Sequence, residues 1–217
     1  MKEKVKKIIA LVLTFLMSIG CVQSYPMVSA LESDYEVYPN PHMMEYQDGS
    51  FDITSNVNIV YEDGIDEYTR DRLNEVLAIK KINATTSTEV KEDQTNILVG
   101  IKGSNQYVDQ YAGEHYTVKT NNLFDQLDSY LLKVDNGKIT VLGKDTDAAF
   151  YGLTSLYHIF KQLDGTNIRN FTMEDYANVA SRGFIEGYYG NPWSTTDRIK
   201  LMEWGGYYKL NSYFYAP

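Results

Sequence analysis

Short apolar runs alternate with helical patterns between residues 31 and 178, and this alternation limits the possible folds more than any other feature. Val57–Tyr61 and Asn96–Ile101 have the length and composition of buried strands. Between them, Asp66–Ile79 carries three apolar residues on one helical face. Strands that alternate with helices favour an α/β fold, in which helices cover a mixed sheet.

A β-hairpin is predicted where two strand-like segments flank the dipeptide Asn136-Gly137. The segments are Tyr130–Val134 and Lys138–Leu142. Both central residues of a type I′ turn need a positive φ, which asparagine and glycine tolerate better than other residues. The sequence therefore predicts that these two segments pair with each other.

The clearest helix is predicted over Asp145–Leu163, where Asp145 or Thr146 is placed to cap the first turn. Gly165 follows its end, as glycine commonly does at a helix stop. Apolar residues recur at spacings of three and four and form one stripe, which comprises Ala149, Leu153, Leu156, Phe160 and Leu163. We expect this stripe to pack against the sheet.

A second unit is predicted at the end of the chain. Residues 181–190 begin as a strand and end in glycines. Ser194, with Asp197 three residues later, resembles a capping box that starts a helix running towards Lys209. Ser212–Tyr215 follows as a second strand. A strand, a helix and a strand in this order are typical of the opening βαβ unit of a parallel barrel.

The first thirty residues have the pattern of a secretory signal peptide. A lysine-rich start precedes the uncharged apolar run Ile8–Ile19, and small residues lead up to Ala30. We therefore expect cleavage near Ala30 and secretion of the protein. A lipid anchor on Cys21 is the competing reading, but Ser18 occupies the position where a lipobox has a leucine-like residue.

The chain that follows the signal peptide is strongly acidic. Cleavage removes 4 of the 20 basic residues and 1 of the 29 acidic residues, which leaves a net charge of about −12. Such a charge argues against nucleic acid and anionic membranes as partners. The single cysteine, Cys21, lies in the signal peptide, so no disulfide is expected. His42, His115 and His158 are scattered along the sequence, and no metal site or cofactor is predicted.

Glycines at the end of the predicted strand over residues 181–190 leave the backbone accessible to a ligand. Gly187 lies near the carboxyl end of this strand, where parallel barrels build their active sites. Tyr188, Tyr189 and Trp193 lie close by in the sequence, and aromatic faces suit the apolar C–H edges of sugar rings. The pattern alone leaves sugar binding and simple packing equally open.

The segment Arg182–Trp193, with the sequence RGFIEGYYGNPW, resembles the first barrel strand of the family 84 glycoside hydrolases. These include O-GlcNAcases and secreted bacterial β-N-acetylglucosaminidases, some of which are named hyaluronidases. Leu210–Pro217 is similar to the second strand of that barrel. Asp147–Leu153 resembles a helix of the N-terminal α/β domain that this family shares with the family 20 hexosaminidases.

Three segments are expected from the patterns and the resemblance together. Residues 1–30 form the signal peptide, and residues 31–178 form an α/β hexosaminidase-like domain with a mixed sheet and packed helices. Residues 179–217 form the first βαβ unit of a truncated TIM barrel. Further modules are expected towards the C-terminus of the full-length protein.

The resemblance also implies a retaining hydrolysis in which the enzyme supplies no nucleophile. The 2-acetamido carbonyl of the substrate attacks the anomeric carbon and forms an oxazoline. One aspartate polarises the acetamido group, and its neighbour acts as general acid and then as general base. In this family both aspartates follow the fourth barrel strand, and a sugar-binding lysine follows the second. All three are expected beyond Pro217, so the chain itself is expected to be inactive.

One sugar contact of the family maps onto this chain, because Gly187 matches the glycine whose backbone meets the sugar hydroxyls. Tyr189 is a weaker candidate for the same pocket. Glu186 matches no catalytic residue of the family, and we expect it to form a structural ion pair or hydrogen bond. The implied partners are glycans or glycoproteins that contain N-acetylglucosamine.

Two other functions are compatible with the sequence. The chain could be a non-catalytic carbohydrate-binding or adhesion module, with the α/β domain as a spacer. It could also open a family 20 hexosaminidase, which uses an Asp-Glu pair instead of two aspartates. The sequence that follows Pro217 in the gene would discriminate among these possibilities.

Overall fold

The computed structural model describes residues 34–187 and 191–215 of the chain. The predicted signal peptide, the candidate lipid anchor Cys21 and the aromatic pair Tyr188-Tyr189 lie outside the described residues. Along the described chain the elements are β1 (Met43–Asp52), β2 (Asn56–Tyr61), α1 (Glu67–Ile79), β3 (Asn83–Ser87), β4 (Asn96–Ile101), α2 (Tyr107–His115), a short 3₁₀ helix (Leu123–Asp125), β5 (Leu127–Asp135), β6 (Lys138–Gly143), α3 (Thr146–Gln162), β7 (Asn167–Ala177), β8 (Gly183–Glu186), α4 (Thr195–Gly206) and β9 (Ser212–Tyr215).

The first four-fifths of the described chain form a seven-stranded mixed sheet with helices on both faces. The strand order is β1-β7-β5-β6-β4-β2-β3. On one side of β6, the neighbouring pairs in the order β6-β4-β2-β3 are all parallel. On its other side, the neighbouring pairs in the order β6-β5-β7-β1 are all antiparallel. Helices α1 and α3 pack on one face with the larger apolar core, and α2 packs with a smaller core on the other face. This arrangement confirms the predicted α/β fold with a mixed sheet.

Local sequence signals account for the ends of these elements. The Asp66 carboxylate accepts a hydrogen bond from the amide of Thr69 at 2.8 Å and caps α1. Asp145 caps α3 in the same way, because it accepts from the amide of Ala148 at 2.9 Å. Such caps satisfy amides that have no partner within the helix. The predicted hairpin is confirmed, with positive φ at both central residues of its turn.

The end of the described chain forms a separate two-stranded parallel sheet, in which α4 connects β8 to β9. Ser194 caps α4 by accepting from the amide of Asp197 at 3.1 Å, as predicted. The helix ends at Gly206 and not at Lys209, because Lys209 adopts a φ of 59° and the Leu210 amide bonds back to the Gly205 carbonyl at 3.0 Å. This left-handed turn directs the chain into β9.

The two faces of this small sheet differ in their packing. Phe184 contacts α4, where a Cβ on Gly205 would lie 3.1 Å from its ring. Ile185 and Phe214 are paired neighbours on the opposite face, and they are 73% and 54% exposed. The predicted strand–helix–strand unit is therefore confirmed, with one face covered by its own helix and the other open.

Three of the contacts between this unit and the first domain involve basic side chains. Arg182 forms an ion pair with Asp128 of β5 at 2.7 Å. Lys209 forms a buried ion pair with Asp175 of β7 at 2.9 Å. The third contact is the guanidinium of Arg72 on α1, which stacks on rings from α3 and from the end of α4. Because the contacts are spread over β5, β7 and α1, they fix the orientation of the unit.

No helix among the residues that the structure describes has both the length and the apolar character needed to cross a membrane.

Candidate functional site

The candidate site is the carboxyl end of the parallel pair β8 and β9. Gly187 follows β8 directly and is exposed, so it lies at the strand end where the sequence predicts it, while its contact with a ligand stays a prediction. Ligands of parallel sheets bind outside the carboxyl ends of the strands. Tyr189, the weaker candidate, lies outside the described residues.

Glu186, the last residue of β8, is the charged group at this strand end. Its side chain is 4% exposed, and both of its oxygens accept hydrogen bonds. Oε1 accepts from the Trp193 amide at 3.2 Å and from Arg198 Nη2 at 2.8 Å. Oε2 accepts from Arg198 Nε at 2.7 Å and from the Tyr213 hydroxyl. The carboxylate therefore connects β8 with the following loop, with α4 and with β9.

These contacts set the protonation state of Glu186. The hydrogen bond from Arg198 is the main reason that its pKa falls to about 2, although desolvation opposes the shift. The Tyr213 hydroxyl and the Trp193 amide lower the pKa further. An ionised carboxylate with this pKa cannot donate a proton at neutral pH. The structure thus shows the ion pair that the sequence predicts for Glu186, and this pairing argues against a role as a general acid.

Aromatic side chains lie on either side of this cluster. The Trp193 side chain is 45% exposed, beyond the amide that Glu186 holds. The Arg198 guanidinium lies 5.0 Å from the centre of the Tyr215 ring. This strand end therefore carries an exposed glycine backbone and exposed aromatic side chains, and both features suit a sugar ring. The described part of this strand end thus offers surface that suits binding.

A cavity of about 260 Å³ lies at the other end of β8, between the small unit and the larger sheet. On its wall Asp175 binds three partners: Lys209 Nζ at 2.9 Å, the Tyr130 hydroxyl at 3.0 Å and His42 Nδ1 at 2.9 Å. Desolvation alone would raise the pKa of Asp175, but Lys209, His42 and Tyr130 together hold it below its usual value. The network joins the two sheets, and we assign it a structural role.

A third polar cluster lies at the carboxyl ends of β2 and β4. The connections from these neighbouring strands leave in opposite directions, with α1 on one face and α2 on the other, and such switch points commonly bind ligands. Here the buried carboxylate of Glu62 fills the position. It accepts from the amides of Ile101 and Asp109, both at 2.7 Å, and from the Ser104 hydroxyl at 2.8 Å. Sequence reasoning missed this cluster, because its partners are about forty residues away.

Residues 34–187 and 191–215 contain no group of three or more histidine, cysteine, aspartate or glutamate side chains that could hold a metal ion.

Two family models match the chain on either side of the junction between the two sheets. The model for glycosyl hydrolase family 20, domain 2, matches residues 34–176. The model for beta-N-acetylglucosaminidase matches residues 182–217. The first match covers the seven-stranded sheet, and the second covers the unit that carries Gly187.

Solved structures show the same relationship. CpGH84D shares 46% sequence identity with this chain at a TM-score of 0.83, over 86% of this chain and 31% of that chain. CpGH84B shares 26% identity at a TM-score of 0.68, over 85% of this chain and 30% of that chain. A family 20 exo-β-N-acetylglucosaminidase from Vibrio harveyi, 15% identical with a TM-score of 0.61 over 82% of this chain and 25% of that chain, shows likeness of fold alone.

The chain thus spans about a third of the length of CpGH84D and CpGH84B. The match to the family 20 domain extends over well over half of the described residues, and the β-N-acetylglucosaminidase match covers the strand–helix–strand unit that follows. Because CpGH84D is 46% identical over 86% of this chain, and the two family models agree with the fold, we conclude that the chain belongs to the family 84 glycoside hydrolases and corresponds to the N-terminal portion of such a protein.

Proposed function

We propose that this chain is the N-terminal part of a secreted retaining β-N-acetylglucosaminidase that removes terminal β-linked N-acetylglucosamine from glycans or glycoproteins. The observation that carries the proposal is the match of residues 182–217 to the β-N-acetylglucosaminidase model, with Gly187 exposed at the carboxyl end of a parallel strand. The open face with Ile185 and Phe214 supports a barrel, because further strands would bury both side chains.

In the proposed mechanism the substrate's own acetamido carbonyl forms an oxazoline, and two aspartates of the full-length protein assist it. In this proposal the chain contributes binding through the Gly187 backbone, which meets the sugar hydroxyls. Tyr189, which lies outside the described residues, stays the weaker candidate for the same pocket. The Arg198 guanidinium holds the pKa of Glu186 low, and the proposal gives this carboxylate no part in proton transfer. Proton transfer therefore depends on residues beyond Pro217.

The mechanism is tested on the full-length protein with 4-nitrophenyl N-acetyl-β-glucosaminide and its mono-, di- and trifluoroacetamido analogues. Fluorine withdraws electron density from the carbonyl oxygen, so substrate assistance predicts a steep fall in kcat/KM with each added fluorine. Rates that do not depend on fluorine would indicate a nucleophile from the enzyme and refute the mechanism. Binding of N-acetylglucosamine without any turnover would refute the enzyme and favour a carbohydrate-binding or adhesion module.

For the 217-residue chain alone we expect no release of 4-nitrophenol above a protein-free blank. The proton-transferring aspartates are placed after the fourth barrel strand, which this proposal locates beyond Pro217. Turnover by the pure chain would contradict that assignment. The downstream reading frame gives a second check: a lysine soon after Pro217 and a later Asp-Asp pair support family 84, whereas an Asp-Glu pair would favour a family 20 enzyme.

Secretion and the segment boundaries are part of the same proposal. Residues 1–30 would be the signal peptide, residues 31–178 the first domain and residues 179–217 the start of the barrel. Intact mass of the protein collected from the culture medium tests the first boundary. A mass that begins after Ala30 is expected, whereas a lipid-modified N-terminus at Cys21 would replace the signal-peptide assignment with an anchor.

A further inference from the structure

We propose that a groove on the first domain binds sugar residues of a neutral glycan, at a site separate from the strand end that carries Gly187. The groove has a volume of about 610 Å³, which is within the range of small-molecule sites. Three segments form it: the loop between β3 and β4, the end of α2 and the turn of the β5–β6 hairpin. It shares no residue with the clusters around Glu186, Asp175 and Glu62, and the proposal does not depend on the proposed function.

A stack of aromatic rings forms one wall of the groove. Tyr107, Tyr111 and His115 follow one another at a spacing of four residues, so they lie on the same face of α2. The rings of Tyr107 and Tyr111 are parallel to within 16° with centres 6.3 Å apart, and those of Tyr111 and His115 are parallel to within 16° with centres 4.1 Å apart. His115 is exposed and ends the stack. An exposed ring of this kind suits the apolar C–H face of a sugar.

Hydrogen bonds hold the opposite wall in place. Asn96, buried at the start of β4, accepts from the amide of Lys91 at 2.8 Å. Its Nδ2 donates to the carbonyl oxygens of Lys91 and Gln94 at 2.8 and 2.9 Å. The amide of Val90 donates to the Tyr107 hydroxyl at 3.4 Å and joins this loop to α2. A wall that the fold already holds loses little conformational freedom when a ligand binds.

The polar groups around the groove combine donors and acceptors with balanced charge. Two basic and two acidic side chains line it, namely Lys91, Lys138, Glu92 and Asp135. His115 Nδ1 lies 2.9 Å from the Tyr111 carbonyl oxygen, so the neutral ring donates through Nδ1 and keeps Nε2 as an acceptor. Sugar hydroxyls both donate and accept hydrogen bonds and carry no charge. The groove therefore fits a neutral sugar better than a phosphate or another anion.

The test is saturation-transfer difference NMR of the 217-residue chain with N,N′,N″-triacetylchitotriose, and with cellotriose as a neutral trisaccharide that has no acetamido groups. One ring stack and a few hydrogen bonds should give a Kd of about 0.1–10 mM for at least one of the two sugars. His115→Ala should raise this Kd about threefold or more, because it removes one aromatic contact. Tyr111→Leu, which keeps apolar packing against the smaller core, should raise it at least as much.

The matched control is Tyr68→Leu, which removes a ring that is 79% exposed on α1, outside the groove, and should keep the wild-type Kd. The two groove variants also decide where the sugar binds, because the strand end with Gly187 is a second place for such ligands. Hydrogen–deuterium exchange gives an independent location: a bound trisaccharide should slow exchange in peptides that cover residues 107–118 and 134–140.

Binding of either sugar that is weakened by His115→Ala supports the proposal. No binding of either sugar up to about 10 mM, or a wild-type Kd in both groove variants, would overturn it. Should Tyr111→Leu fail to fold, His115→Ala decides alone, because the His115 side chain is exposed. The result stands whether or not the full-length protein is a glycosidase, since no step of the test requires hydrolysis.

Discussion

Replacement of Lys209 by methionine should destabilise the protein by about 3 kcal/mol. Lys209 is 6% exposed, and its ammonium donates to Asp175 at 2.9 Å and to the Tyr130 hydroxyl at 2.8 Å. Removal of one partner from a buried ion pair costs about 3–5 kcal/mol, because it leaves an uncompensated charge. The lower end applies here, since Asp175 keeps its contacts with Tyr130 and His42.

The assay is urea unfolding of the chain followed by circular dichroism, with the free energy of unfolding extrapolated to water. Lys200→Met, the same change at an exposed position of α4, is the matched control and should shift the free energy by less than about 0.5 kcal/mol. The double variant Lys209→Met/Asp175→Asn should regain part of the lost free energy of unfolding, because it no longer contains the buried carboxylate without its ion-pair partner. A cost below about 1 kcal/mol for Lys209→Met, or full additivity of the two changes, would refute the reasoning.

Further predictions concern two glycines, the titration of Asp175 and the stacking of Arg72. Gly100→Ala should lower the free energy of unfolding by about 1–3 kcal/mol, since the new Cβ would lie 2.7 Å from two buried side-chain carbons. Gly113→Ala, where nothing lies within 4 Å of the new Cβ, should raise it by roughly 0.5–1 kcal/mol in the same urea assay. The pKa of Asp175 is lowered in the folded protein, so its contribution is present above its unfolded pKa of about 3.9 and is lost as the pH falls through the folded value. Below about pH 4 the stability of wild type should therefore fall more steeply than that of Asp175→Asn, and parallel curves would contradict the assignment. Arg72→Lys should lower the stability by about 1–2 kcal/mol, because lysine cannot keep the stacking that the guanidinium makes 4.3–4.6 Å from two ring centres.

Elements with strong local signals were predictable from the sequence. Strands β2 and β4, helices α1 and α3 and the β5–β6 hairpin combine apolar periodicity with a cap or a turn dipeptide. Each of these signals depends on residues within a few positions of each other. For this reason their positions agree with the structure to within a few residues.

Strand β7 lacks such a signal, and the sequence did not predict it. Its sequence NIRNFTMEDYA carries Glu174 and Asp175, two carboxylates that ordinarily count against a central strand. Glu174 is buried because it accepts from the amides of Lys119 and Thr120 at 2.8 and 2.6 Å. Asp175 is buried because Lys209 reaches it from the other unit. Partners so distant in sequence leave no local pattern.

The candidate site was predictable to a similar extent. The exposed glycine at the end of β8 was predicted from the strand pattern and the resemblance, and a structural role was expected for Glu186. Its partner Arg198 was not identified, although a basic residue in the first turn of the helix that follows a strand is a signal that could have suggested it. The contribution of Tyr213 becomes visible only when β9 is paired beside β8.

The carboxylate of Glu62 has a consequence for what the first domain can bind. It behaves as a ligand tethered to its own receptor, at an effective concentration far above that of any free anion. The two amides and the hydroxyl that hold it would suit a small carboxylate equally well. Glu62→Ala should therefore create a receptor for formate or acetate, and millimolar amounts of either anion should restore stability that the variant has lost. At the position where other α/β proteins bind ligands, this domain binds its own Glu62 carboxylate, and the hydrogen-bond donors there are already occupied.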